Sequence, residues 1–293
     1  MDVEITRLDG TSFRLSDYDV IVRDFIVGSV PVAGIYGTIE GRAGTVDYGA
    51  DLGQRSITVP FYTEARDHSD YALLRDELFS LVVTRESFYV RELRRREYGK
   101  GSDKFIGGKR YLVRLSGEFS LEQTFRYGFG ELALETTDLP YAESIGTSMD
   151  IHAKGIDVDD EIWGFGMGVL VEDDALMYSH NAVAGQSFRI YNPGTEAVHP
   201  FEHDFKLTIS DVVGSTDSFR IRNLTNESQS RITTQVRPTD VIVYDGPNIT
   251  RNSLALLRDT DMNYISLDPG WNEFRIYNCD SATVEFDFRF YYV

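Results

Sequence analysis

The chain has 293 residues, 42% hydrophobic and 13% aromatic, with 47 acidic against 29 basic residues and a formal net charge of −18. That length allows two domains, and that charge makes the protein as a whole a poor binder of nucleic acid or anionic membrane. One cysteine, Cys279, excludes an intramolecular disulfide and a cysteine-based zinc site.

In chain order, Ile5–Leu8 and Thr11–Leu15 flank Asp9-Gly10, a strong two-residue hairpin signal. The stretch Met1–Arg7 has no apolar signal core, and no apolar run reaches the roughly 18 residues of a membrane span. Synthesis in a reducing cytoplasm is therefore expected. Val20–Val22 and Gln54–Tyr62 read as strands, the second with Ile57, Val59 and Phe61 on one face. Between them Gly34–Gly53, rich in glycine and polar residues, reads as a long exposed excursion. A helix is predicted from Ser69 to Val82, capped by Asp67 or Ser69, with Tyr71, Leu74, Leu78 and Leu81 at helical spacing. Such a stripe packs a core.

Phe88–Leu93, Lys109–Phe119 and Gly130–Thr137 continue as strands. Thr136–Pro140 breaks the pattern, so a first domain is expected over 1–140, a linker over 141–150 and a mostly stranded second domain over 151–293. Leu254–Leu257 fits a helical turn or a buried strand equally. The word Phe188-Arg-Ile-Tyr-Asn192 recurs as Phe219-Arg-Ile-Arg-Asn223 and Phe274-Arg-Ile-Tyr-Asn278. Each time Phe and Ile share one face, Arg projects from the other, and Asn starts a turn. The uneven spacing excludes a solenoid period. Asn263–Val293 reads as a closing β-hairpin. In its last strand Val284, Phe286, Phe288, Phe290 and Tyr292 face a core, and Glu285, Asp287, Arg289 and Tyr291 face water.

Candidate chemistry is sparse. His199 and His203 are four apart, but Pro200 between them argues against the helix a zinc pair needs. Gly164–Gly168 lacks the strand–helix setting of a phosphate loop. Asp157–Glu161 carries four carboxylates without the spacing of a calcium loop, and reads as a solvated acidic turn. The sequons at Asn223, Asn226 and Asn248 mean little without a secretion signal. No catalytic group, metal site or cofactor is expected.

One stretch is locally basic. Arg91–Arg110 holds Arg91, Arg94, Arg95, Arg96, Lys100, Lys104, Lys109 and Arg110 against three acidic residues. Nucleic-acid contact is one reading. A glycine-rich hairpin arm meeting an acidic neighbouring subunit is the other, and it suits an acidic chain better. Trp271, after Pro269-Gly270, is the candidate for stacking on a sugar ring, with burial at a sandwich edge as the alternative.

The order of these elements resembles the distal tail protein family of long-tailed, non-contractile bacteriophages. The resemblance is carried by Leu8-Asp-Gly-Thr11, the lone helix Asp70–Val82 followed by Phe88-Tyr-Val90, and Lys109-Arg-Tyr111 running into Gly117. It continues through Phe188–Thr195, Pro200-Phe-Glu-His203, Asp240-Val-Ile-Val243, Pro269–Ile276 and the aromatic strand to Val293. It implies a mainly β protein: an N-terminal β-barrel or sandwich with one helix that forms a ring, and a C-terminal galectin-like β-sandwich. It implies a homo-hexameric hub at the tail tip of the virion. That hub joins the tail tube protein to the tail-tip or tail-associated lysin protein, holds receptor-binding proteins in many phages, and leaves a channel for DNA without binding it tightly. The family offers no invariant functional side chains to carry over.

Two other classes stand beside it. A carbohydrate-binding module would grip host cell-wall glycans through the second domain, but fold alone does not give function. A glycoside hydrolase needs two carboxylates at fixed separation, and nothing in the sequence selects a pair.

Overall fold

The computed structural model describes residues 1–95, 105–156, 162–164, 166–169 and 176–293. The chain divides into two compact units, Met1–Ala142 and Glu143–Tyr292.

The first unit runs β1 (Asp2–Arg7), β2 (Ser12–Arg14), β3 (Val20–Val22), β4 (Ile26–Val27), β5 (Val32–Gly37), β6 (Val46–Leu52) and β7 (Ser56–Glu64). Then come α1 (His68–Val82), β8 (Phe88–Arg95), β9 (Phe105–Ile106), β10 (Lys109–Leu115), β11 (Glu122–Thr124) and β12 (Tyr127–Thr136). Its main sheet has the order β2-β1-β8-β10-β12-β7-β3, and it curls far enough to bring β3 against β1. The period of two in β7 buries Ile57, Val59 and Phe61 inside the curl, with Val3, Ile5, Val90, Val113, Leu132 and Leu134 around them. Each large apolar side chain so buried contributes roughly 1.5–3 kcal/mol before entropy.

Helix α1 seals the curl. Asp67 caps it, its Oδ1 accepting from the amides of Ser69 and Asp70 at 2.8 and 2.9 Å. Tyr71, Leu78 and Val82 form its buried face. Carboxylate oxygens at this end also meet the positive pole of the helix.

The second unit contains β13 (Ala142–Ser144, its first residue lying in the first unit), α2 (Ser148–Lys154), β14 (Ser179–Val183), β15 (Ser187–Asn192), β16 (Phe205–Val213), β17 (Phe219–Asn223) and β18 (Gln229–Ile232). It ends with β19 (Ile242–Asp245), β20 (Asn248–Arg251), β21 (Leu254–Ala255), β22 (Gly270–Tyr277), β23 (Ser281–Phe288) and β24 (Tyr291–Tyr292). Two sheets form the sandwich, β14-β23-β16-β19-β20-β21 and β15-β22-β17-β18. The three Phe-Arg-Ile words are β15, β22 and β17, three neighbours in the smaller sheet. Ile190, Ile221 and Ile276 point inward and are buried. The mainly β, two-unit architecture expected from the sequence is present.

Four features differ from the sequence reading. Asn263–Val293 is not a hairpin: β22 lies in the four-stranded sheet and β23 in the six-stranded one. Asn278, at φ 62°, turns the chain across the sandwich, so Phe274 and Phe286 meet between the layers at 4.8 Å. Tyr291 is buried, not solvated. The alternation breaks after Phe288, and the Tyr291 hydroxyl accepts from the Asp204 amide at 2.8 Å while its ring lies 4.2 Å from that of His203. The second unit has a helix, α2, whose Thr147 and Asp150 form a reciprocal capping box. Consequently the stretch 141–150 carries β13 and the first turn of α2. Finally, Leu254–Leu257 splits between the short strand β21 and the start of a 3-10 turn at Leu257–Asp259.

Candidate functional site

The excursion between β4 and β7 is built structure. Strands β5 and β6 pair with each other, Val32 opposite Leu52 and Gly37 opposite Val46, with a register shift between Gly34 and Tyr36. Gly49, at φ 106°, supplies the conformation this irregularity needs. Gly34 lets the Tyr36 ring lie against the backbone, and Gly37 does the same for Tyr48. The ribbon forms its own two-stranded sheet, yet it carries exposed Val32, Ile35, Tyr36, Ile39, Tyr48 and Leu52. Tyr36 and Tyr48 are 64% and 65% exposed. A lone two-stranded ribbon is marginal in water, and this one keeps its apolar side chains outward.

A second apolar surface lies on the same unit. Phe79, Val83, Leu115 and Phe119 line an open groove of about 610 Å³ beside the end of α1, with Arg85, Arg114 and Glu118 also on its wall.

The basic stretch divides. Its stem is paired, β8 with β9, Arg94 opposite Ile106; Arg96, Lys100 and Lys104 lie outside the described residues, as does the side chain of Arg95. Arg91 is part of the fold: its Nε and Nη2 donate to Glu4 Oε1 and Oε2 at 2.7 and 3.1 Å, and both side chains are mostly buried. The Arg110 guanidinium lies 3.8 Å from the centre of the Tyr89 ring. Burial holds Lys109 below the usual lysine range, with nearby Arg55 adding to the shift. Arg94 is exposed, its Nε 2.7 Å from Glu92.

Trp271 is half-buried. Tyr191 packs against the indole at 4.9 Å and the Arg189 guanidinium sits 4.6 Å from its centre. A sugar stacking there would have to displace Arg189.

His203 is buried, and its Nδ1 accepts from the His199 amide at 3.1 Å. His199 stacks on Phe201. The two imidazoles therefore serve a turn, and among the described residues no three potential metal ligands gather. The cluster Asp157–Glu161 lies outside the described residues, and so does Phe165 in the Gly164–Gly168 stretch. The ribbon's pairing was missed in the sequence because its glycines interrupt the alternation; Tyr36 and Tyr48, each near a glycine, were the available signal.

Residues 8–136 match the family model of the phage tail protein RIFT-related domain. That match falls within the first unit. Over its whole length the chain has the fold of a solved hub protein, SPP1 Dit (gp 19.1), described as a paradigm of the hub adsorption apparatus in phages infecting Gram-positive bacteria. The TM-score is 0.63 at 12% identity, covering 98% of this chain and 99% of that one. A chain of the phage P2 baseplate in its activated conformation with Ca aligns over 98% of this chain and 97% of its own, at 11% identity and a TM-score of 0.37. No curated protein sequence matches the chain. The tail-domain match and the shared fold with SPP1 Dit support the resemblance to distal tail, baseplate-hub proteins of non-contractile phages.

Proposed function

We propose that this protein is a structural, non-catalytic component of a phage tail tip that assembles as a homo-hexameric ring. The observation that carries the reading is the apolar ribbon β5–β6, which nothing in its own sheet covers. A closed ring is held by heterologous contacts between two unlike surfaces of each subunit. The first unit offers such a pair, the outward ribbon and the open groove at the end of α1. The occupant of the ribbon's apolar side chains is a second copy of this chain. Permanent interfaces favour large aromatic contacts, and Tyr36 and Tyr48 supply them. The exposed Arg94 adds charge complementarity to an acidic neighbour.

In this reading the ring joins the tail tube protein to the tail-tip or lysin protein and to receptor-binding proteins, and leaves an axial passage for DNA. The tail-domain match and the shared fold with a hub protein support the placement in the virion tail.

The test is the mass of the purified protein by light scattering, alone and mixed with the tube protein, with negative-stain images of each peak. Six-subunit rings with an open centre are the expected outcome. A monomer under both conditions would overturn the reading.

A further inference from the structure

The sheet order brings the three repeated words side by side, and with them their outward arginines. On the outer face of β15-β22-β17-β18 lie Arg189, Arg275, Arg220, Arg222 and Arg231, together with Tyr191, Trp271 and Tyr277. In an acidic chain this is a concentrated cationic surface. Two of its cross-strand pairs join like charges: Arg222 is opposite Arg275, and Arg220 is opposite Arg231. Like charges directly opposite destabilise a sheet.

The partners within the chain are few. Arg222 reaches the exposed Glu227 at 3.5 Å, Arg231 donates to the Ser218 hydroxyl at 3.5 Å, and Glu273 is the carboxylate opposite Arg189. Among the described residues, the Nε atoms of Arg220, Arg222 and Arg275 are buried with no hydrogen-bond partner. Buried unpaired donors are costly and few in native folds. Those Nε atoms are closed to solvent and to any ligand; it is the two like-charge pairs, a local cost without gain to the sheet, that mark the face as one for an external anion.

We propose that this face binds a flexible polymer of phosphodiester groups that carries no bases, the chemistry of a polyol-phosphate chain. All five cations are arginine, whose planar fork matches an oxyanion with two parallel N–H donors. The cations recur about 5 Å apart between strands and about 7 Å apart along them, a grid that a flexible chain can follow. A protein partner fits less well, because the centre of a protein interface is apolar and none of this face's apolar side chains is among the exposed ones. Single-stranded nucleic acid is held by stacking bases on open aromatic faces. Here Arg189 lies over Trp271, and Arg220 lies 4.1 Å from the centre of the Tyr277 ring. The site does not require the ring, so its test stands apart from assembly.

The experiment titrates the full-length protein with poly(glycerol phosphate), with an oligothymidylate of equal phosphate number and with poly-glutamate, at about 50 mM salt and again at about 200 mM. Poly(glycerol phosphate) should bind, weaken steeply as salt rises, and exceed the other two by roughly tenfold or more. R222Q/R275Q should cut that binding by at least about tenfold with an unchanged or raised thermal midpoint, while R75Q/R126Q, at exposed positions of the first unit, leaves it intact. Should the double variant misfold, R220K keeps the charge, removes the fork, and should still lose about threefold or more. No binding at low salt, equal binding by the folded variants, or tighter binding of the oligonucleotide or poly-glutamate would overturn the proposal.

Discussion

The ribbon β5–β6 and the strand β23 are both rich in large apolar side chains, and they meet opposite fates. In β23, Phe286 and Phe288 are buried against Phe188, Phe205, Phe274 and Tyr178 of their own unit. In the ribbon, Tyr36 and Tyr48 stay about two-thirds exposed. The hydrophobic effect is the same for both. The difference is that β23 lies inside a sheet, between β14 and β16, whereas the ribbon is a sheet of two. One segment stabilises its own unit; the other keeps its side chains exposed, the surface that the proposed ring would cover.

Substitutions should separate those roles. The largest loss is expected from Phe286→Ala, which opens a cavity among the rings of Phe188, Phe205 and Phe274 and should cost about 3–5 kcal/mol in urea unfolding. Glu4→Gln should cost about 2 kcal/mol, because it removes the negative charge that faces Arg14 and the mostly buried Arg91. Arg94→Ala, on the exposed pair, should stay within about 0.5 kcal/mol in the same measurement.

The buried tyrosines of the second unit give a pH dependence. Burial pushes Tyr244 up to about 12 from an ordinary 10, and raises Tyr178, Tyr291 and Tyr292 as well. The folded state disfavours the phenolate, so this stability is complete below pH 10. It is lost as pH rises towards 12, where only the unfolded chain ionises freely. Ultraviolet titration should therefore show late tyrosine ionisation coinciding with loss of near-ultraviolet circular dichroism. Exposed tyrosines such as Tyr36 and Tyr48 ionise early; ionisation of all 17 near pH 10 in a still-folded protein would contradict the burial.

Asp67→Ala removes the cap of α1 and should cost about 1 kcal/mol. The smallest change in monomer stability is expected from Tyr36→Ser with Tyr48→Ser, within about 0.5 kcal/mol as for other exposed positions.

The same contrast explains what could be read from the sequence. Helix α1 was legible because Asp67 and the apolar spacing agree, and β7 and β23 because alternation follows burial on one face. The capping box Thr147-x-x-Asp150 was visible too and marks α2, though Tyr141–Asp150 reads as polar linker when apolar periodicity alone is used. The switch from β22 to β23 across the sandwich was not legible, since a tight turn at Asn278 serves a hairpin or a crossing equally. The arginine face was half legible: each word shows its Arg outward, but only the sheet order makes the three strands neighbours. The ribbon lacked a periodic signal because the surface that would cover it is not in its own sheet.

The most direct test of the central claim compares the mass of the wild-type protein with that of a variant whose residues 32–52 are replaced by a short glycine–serine turn, both by light scattering at the same concentration with the tube protein present. The account predicts six-subunit rings for the wild type and a folded monomer, with an unchanged urea midpoint for the second unit, for the variant. Rings of equal mass formed without the ribbon would contradict it.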